Sequence, residues 1–176
     1  MDDISIRQEL DADHERVEKL VKSAFEHVDE SDHQEHLLVA KLRRSSAFIP
    51  ELSLVAELKD QLVGHILLTT ITIDDGDAVH NSLALAPVSV LPEYQNLGIG
   101  SQLIEVAHQK ARALGYQSII VLGHENYYPR FGYVQAHHFN VALPFDVPKE
   151  NCFAIELTTN ALEKVSGIVK YPKEFY

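Results

Sequence analysis

Two stretches of this 176-residue chain carry residue types that could do chemistry. The first, Gln95-Asn96-Leu97-Gly98-Ile99-Gly100, lies between an apolar run over residues 83–90 and a segment where Leu103, Ala107, Ala111 and Leu114 recur at helical spacing. A loop that opens a helix leaves backbone N–H groups unpaired, and the helix dipole adds partial positive charge there. Together they form a socket for phosphate. Gly98 can take the φ > 0 conformation of a tight loop, and Gly100 lets an anion approach without meeting a Cβ. Taken alone, a glycine pair at this place is more often an ordinary strand–helix turn. The second stretch is His124-Glu125-Asn126-Tyr127-Tyr128, which follows a β-branched run over residues 118–122. Ligands gather beyond the carboxyl ends of parallel strands, so His124 and Glu125 are the candidates for a general base, with a water chain as the alternative.

The elements that must hold these residues can be read from pattern. Residues 83–90 are apolar on both alternating faces, as in a central strand covered on both sides. Pro92 ends that strand and Gly115 closes the helix after it. With residues 118–122 as the next strand, this makes a βαβ unit with two parallel strands. Upstream, residues 4–7 alternate as a short strand, and Val17, Leu20, Val21, Ala24, Phe25 and Val28 share one helical face whose first turn suits Asp11 and Asp13. A second helix is expected from Asp32, with Asp32 and Glu35 as a capping box, to the basic group Lys41, Arg43 and Arg44. Residues 52–58 and 62–73 read as strands joined through a hairpin at Lys59-Asp60-Gln61, and Asp74 to Asp77 as a turn. Further on, residues 139–143 and 153–157 read as strands, 159–165 as a short helix and 169–171 as an edge pairing.

Composition narrows the class. Hydrophobic residues at 45% and charged residues at 23% are ordinary for a globular chain, and no linker-like stretch divides it, so one domain over residues 1–176 is expected. The net charge of −11 disfavours nucleic acid and an anionic membrane surface, both of which need basic side chains. No apolar run is long enough to span a bilayer, the start lacks a signal-peptide core, and the single Cys152 fits a reducing cytoplasm. His33 and His36 lack the order and third ligand of a zinc site, so no metal is expected. Rossmann and Walker loops fail on spacing, because Leu103 stands where a third glycine belongs and no G-K-[ST] occurs.

The six residues from Gln95 to Gly100 resemble the Q/R-x-x-G-x-G/A signature of the GNAT acetyltransferase superfamily, and V-S-V-L-P-E-Y before them resembles its lead-in. Residues 127–133, Y-Y-P-R-F-G-Y, resemble the family's Y-x-x-x-G-F, with Tyr133 where Phe is usual. The C-terminal G-I-V-K-Y-P narrows the likeness to a bacterial subgroup of N-acetyltransferases. The resemblance implies an α/β (α+β) fold, a mixed, centrally splayed sheet of about six to seven strands with helices on both faces. It implies acetyl-CoA as co-substrate, with the backbone of Val88, Ser89 and Val90 along the pantetheine and the amides of Asn96, Leu97, Gly98, Ile99, Gly100 and Ser101 around the pyrophosphate. Gln95 supports the loop and Asn126 reaches the pantetheine. Tyr128 falls where the family carries a tyrosine near the cofactor sulfur, and Tyr127 is its neighbour of no assigned role. Glu93 belongs to the lead-in, and His65 lies in a strand. The expected activity is direct acetyl transfer to a primary amine of a small molecule or a protein N-terminus; the alternative is a silent acyl-CoA-binding module. A homodimer, and a cationic acceptor drawn by Glu26, Asp29, Glu30 and Asp32, complete these expectations.

Overall fold

The computed structural model describes residues 3–176. Its elements run β1 (Ser5–Gln8), α1 (His14–Phe25), α2 (Glu35–Leu42), β2 (Phe48–Leu58), β3 (Gln61–Asp74), β4 (Val79–Val90), α3 (Ile99–Ala113), β5 (Ser118–Leu122), β6 (Val134–Gln135), β7 (Val141–Ala142), β8 (Cys152–Glu156) and β9 (Gly167–Lys170). Among the described residues one open sheet follows the path β1-β2-β3-β4-β5-β8-β6, with β9 beside β3 and β7 beside β9. The mixed, splayed sheet is the expected one, with β7 and β9 where pairing was expected in the last third of the chain and β6 as an additional strand without a counterpart in the sequence reading. Among the described residues, β4–β5 and β7–β9 are the parallel pairs.

Strand alternation sends each sheet face to its own cover. Leu52, Leu54 and Ala56 of β2, Ile66 and Leu68 of β3, and Leu83 and Leu85 of β4 pack with Ile99, Leu103, Ile104, Ala107 and Ala111 of α3. Val55, Leu62 and Leu67 point the other way, onto Val17, Leu20 and Val21 of α1 and Val39 and Leu42 of α2. The β2–β3 hairpin closes through Lys59 and Asp60, both at positive φ (48° and 63°), which suits the right-handed twist of its strands. Gly115 at φ 89° lets the Tyr116 amide bond back to the Ala111 carbonyl and stops α3. Leu114, read as part of the apolar stripe, instead lies 45% exposed past the last turn.

Four local expectations are corrected. α1 ends at Phe25, so Val28 lies in the turn that follows. Asp32 caps no helix: its Oδ1 accepts from the Gln34 amide at 2.9 Å while His33 takes φ 59°, and α2 starts only at Glu35. Residues 159–165 form turns because Asn160 sits at φ 56° and Glu156 takes the Leu162 amide at 2.9 Å. Of residues 139–143 only Val141 and Ala142 enter a ladder, since Asn140 at φ 58° ends a 3₁₀ turn just before them.

Two buried histidines make this fold acid-sensitive. His108 of α3 is 5% exposed with Nε2 at 2.9 Å from Tyr133 Oη, and His65 of β3 is fully buried. Burial pushes each imidazole down to about 4. The unfolded chain would protonate them below about 6.5, the folded one only near 4, so stability is complete above that range and falls as the pH drops through it. The stability that Asp13, held low by Arg7, contributes is present above the ordinary carboxylate range and is lost only at still lower pH. The thermal midpoint of a His108→Gln variant should decline less steeply than the wild type between pH 6.5 and 4; an equal slope would show that His108 is not a source of the dependence.

Candidate active site

β4 and β5 pair only from Leu83↔Ile119 to Leu85↔Val121 and then part. The cause lies in β4. Ile66 opposes Val88 while Leu68 opposes Leu85, so β4 carries one residue more than β3 between these pairs, at Ala86 and Pro87, which are joined by a cis peptide. A bulge twists its strand and ends regular pairing, and proline cannot donate to a ladder. β5 meanwhile stays paired with β8 to its last residue, Leu122↔Cys152. A wedge-shaped gap therefore opens beside residues 86–90.

One backbone edge of β4 lines that gap. Leu91 donates to the Val63 carbonyl at 3.0 Å, which sets the phase of the antiparallel alternation. The peptide groups of Ser89 face β3 in that phase, and those of Val88 and Val90 turn into the gap. Gln95 Nε2 reaches the Val90 carbonyl at 3.1 Å and ties the loop to the strand. The Ser89 hydroxyl is buried on the opposite sheet face, with no hydrogen-bond partner among the described residues.

The loop over residues 95–98 bends through Asn96 at φ 63° and Gly98 at φ 80° before α3 begins. No side chain caps the helix, and the first intrahelical bond is from the Gln102 amide to the Gly98 carbonyl. The amides of Ile99, Gly100 and Ser101 thus have no helical acceptor, and Leu97, 61% exposed, leaves their approach open. Around Gly98 a Cβ would meet nothing, so its φ is what calls for glycine. Gly100 differs from the expectation of a bare approach: a Cβ there would lie 2.8 Å from Tyr127 Oη. The phenol of Tyr127 occupies the space that the missing side chain leaves.

Tyr127 and Tyr128 come from the turn after β5, with rings packed edge to face at 5.1 Å. Tyr127 is half-buried, burial raises its pKa, and the Arg130 guanidinium sits 4.5 Å from its ring centroid. The site thus holds a protonated phenol and a cation beside the α3 N-terminus in a chain that is otherwise strongly acidic. Tyr128 is 7% exposed among Tyr133, Phe153 and Gly123, burial lifts its pKa well above the ordinary phenol value, and no group among the described residues hydrogen-bonds its hydroxyl. His124, Glu125 and Asn126 are exposed on the same turn, and His124 Nδ1 accepts from the Asn126 amide at 3.2 Å, which leaves Nε2 as its free nitrogen. Glu26, Asp29, Glu30 and Asp32 are exposed between α1 and α2, on the other face of the sheet. Spacing along the chain assigns Tyr127 no role; its proximity to Gly100 depends on a turn 27 residues further along. No group of side chains among the described residues could hold a metal ion, and no described helix is long and apolar enough to cross a membrane.

The family model of the acetyltransferase (GNAT) domain matches residues 50–135, from β2 through β6, and so includes the gap, the loop and both tyrosines. The uncharacterized N-acetyltransferase YjhQ of Escherichia coli K12 is 35% identical over 139 residues, covering 76% of this chain and 75% of that protein. A second E. coli K12 protein, the uncharacterized N-acetyltransferase YhbS, is 28% identical over 172 residues and 97% of both chains. The crystal structure of YhbS in complex with CoA matches with a TM-score of 0.89 at 26% identity, over 99% of this chain and 93% of that one. A GNAT family acetyltransferase from Brucella melitensis in complex with acetyl-CoA matches at 0.82 with 30% identity over the whole of both chains. Splayed strands, glycine loop and sequence likeness converge, and the chain belongs to the GNAT acetyltransferase family.

Proposed function

We propose that this protein moves the acetyl group of acetyl-CoA directly to a primary amine of a small molecule or a protein N-terminus. The observation that carries the reading is that open amides on β4 and unpaired amides at the α3 N-terminus border one gap, with Tyr128, whose hydroxyl has no hydrogen-bond partner among the described residues, on the turn that follows β5. The amides of Leu97 to Ser101 suit the pyrophosphate, with Tyr127 donating a further hydrogen bond and Arg130 adding charge. Val88 and Val90 offer strand-like hydrogen bonds to the pantetheine amides, and one of their N–H groups can polarise the thioester carbonyl. Support for this placement comes from the CoA and acetyl-CoA complexes of the two structural relatives.

Transfer forms a C–N bond and breaks a C–S bond, so a proton leaves nitrogen and one reaches sulfur. Tyr128 serves as donor to the sulfur. Burial holds its phenol protonated at any physiological pH, and the same desolvation raises the proton affinity of the departing thiolate. The exposed carboxylates Glu26, Asp29, Glu30 and Asp32 favour a cationic acceptor by long-range attraction, which salt screens beyond about 8 Å. A free, buried Cys152 is consistent with work in the cytoplasm.

A thiol-trapping assay over a panel of primary amines tests the reading. Thiol release that needs both acetyl-CoA and an amine is expected, whereas CoA binding without release would mark a silent binding module. On a confirmed acceptor, Tyr128→Phe should lower kcat by about 10²-fold or more while CoA affinity holds. With the phenol pushed up by burial, kcat should also show no alkaline fall below about pH 10 that the Phe variant lacks. Wild-type turnover in Tyr128→Phe would remove the assignment.

Gly100→Val gives a separate check on the cofactor loop. Its side chain must displace the Tyr127 hydroxyl, so CoA affinity should fall at least about tenfold with the fold retained. Undiminished affinity in calorimetry would place the pyrophosphate elsewhere.

A further inference from the structure

A proton donor that must meet a departing sulfur has to stand at a fixed place, and the Tyr128 ring is held from two sides. The first is Gly123, the residue after β5: a Cβ there would lie 2.1 Å from Cε2 and 2.8 Å from Cδ2 of the ring. The φ of Gly123 is not positive, so its backbone would admit a side chain; the ring is what excludes one. Nor is that backbone free to retreat. The Gly123 amide donates to the Asn151 carbonyl at 2.9 Å and the Gly123 carbonyl accepts from Asn151 Nδ2 at 3.1 Å, just past the last pair of the β5–β8 ladder, Leu122↔Cys152.

The second side is Tyr133, which packs edge-on against Tyr128 with ring centroids 5.5 Å apart. A phenylalanine, usual here in the family, would fill the same space, so the added hydroxyl needs its own reason. Its Oη lies 2.9 Å from Nε2 of the buried His108 on α3. Burial keeps this phenol protonated and this imidazole neutral, so the contact is an ordinary hydrogen bond that fixes where the Tyr133 ring sits. Of the two buried phenols in contact, Tyr133 is engaged with the protein and Tyr128 has no hydrogen-bond partner among the described residues. Tyr127, on another edge of Tyr128, meets Gly100 in the first turn of α3. Both tyrosines that flank Tyr128 therefore lean on the helix whose N-terminal amides are open.

We propose that Gly123 and Tyr133 are positioning residues for the proton donor: Gly123, pinned by Asn151, and Tyr133, pinned by His108, fix the Tyr128 ring between the end of β5 and α3. The inference rests on the acetyl-transfer reading with Tyr128 as donor. Neither residue gives or takes a proton in the reaction; both act only on where the phenol stands. Because α3 also carries the amides offered to the pyrophosphate, the distance from donor to cofactor is set through one helix.

Gly123→Ala in the full-length protein adds one methyl group against the ring. On an amine acceptor from the thiol-release panel it should lower kcat by about 10²-fold, as a misplacement of about 1 Å does, with CoA affinity in calorimetry unchanged. Tyr133→Phe keeps the ring and removes only the bond to His108, so kcat should fall about threefold to tenfold, the worth of one neutral hydrogen bond. In a Tyr128→Phe background both changes should be silent, which general loosening of the fold would not produce. Full kcat in folded Gly123→Ala or in Tyr133→Phe, or losses that multiply with Tyr128→Phe, would overturn the inference while leaving acetyl transfer intact. Should Gly123→Ala not fold, Tyr133→Phe alone decides. A wild-type protein that releases no thiol with any amine, or a Tyr128→Phe variant with full turnover, would defeat the parent reading as well.

Discussion

The parting of β4 from β5 beyond Leu85 and Val121 is the constraint on which the rest of the site depends. Had these strands stayed paired, the peptide groups of Val88 and Val90 would be consumed by the ladder and no gap would exist. The extra residue at Ala86 and Pro87 breaks the pairing on the β4 side, while β8 holds β5 in place on the other. Leaving strand edges unpaired costs stability unless something else takes their hydrogen bonds. In this fold that cost is concentrated where a ligand with its own amides and phosphates can meet it. The helix that follows β4 adds a second set of unpaired amides at the mouth of the same gap.

A different interaction keeps the α1 side rigid enough for the gap to retain its shape. Glu9, Arg43 and Glu18 join the end of β1, the end of α2 and α1, while Arg7 spans Asp13 at 2.7 Å and Glu57 at 2.8 Å. Glu9 and Arg43 are almost wholly buried, and removing one partner of such a pair leaves an uncompensated charge at a cost of about 3–5 kcal/mol. The network therefore fixes where the three N-terminal elements sit on the sheet.

Much of the frame was legible because local signals coincide with global ones. Gly98 and Gly115 bracket α3, the run from Leu83 to Val90 is apolar on both faces, and Lys59-Asp60 separates two strand-like runs. The break in β4 has a local signal beside the splayed sheet that the resemblance implies: a proline at position 87 inside a central strand argues for an interruption of pairing. Capping at Asp32 failed because Asp also forms local turns with its own backbone, and the turn won there. Two features had no sequence signal at all. Tyr127 meets Gly100 only after β5 returns the chain to the head of α3, and the buried hydrogen bonds of Ser53 with Glu9 and His65 span 44 and 12 residues of chain. Residue type identified which side chains could act; proximity had to come from the fold.

Amide hydrogen exchange followed with and without CoA tests the central claim most directly, since the account places the ligand on backbone N–H groups. Addition of CoA should slow exchange at Leu97 to Ser101 and at Val88 and Val90, with β1 and the segment between α1 and α2 little changed. Protection that misses both sets of amides, or falls mainly elsewhere, would contradict the assignment of this gap as the cofactor site.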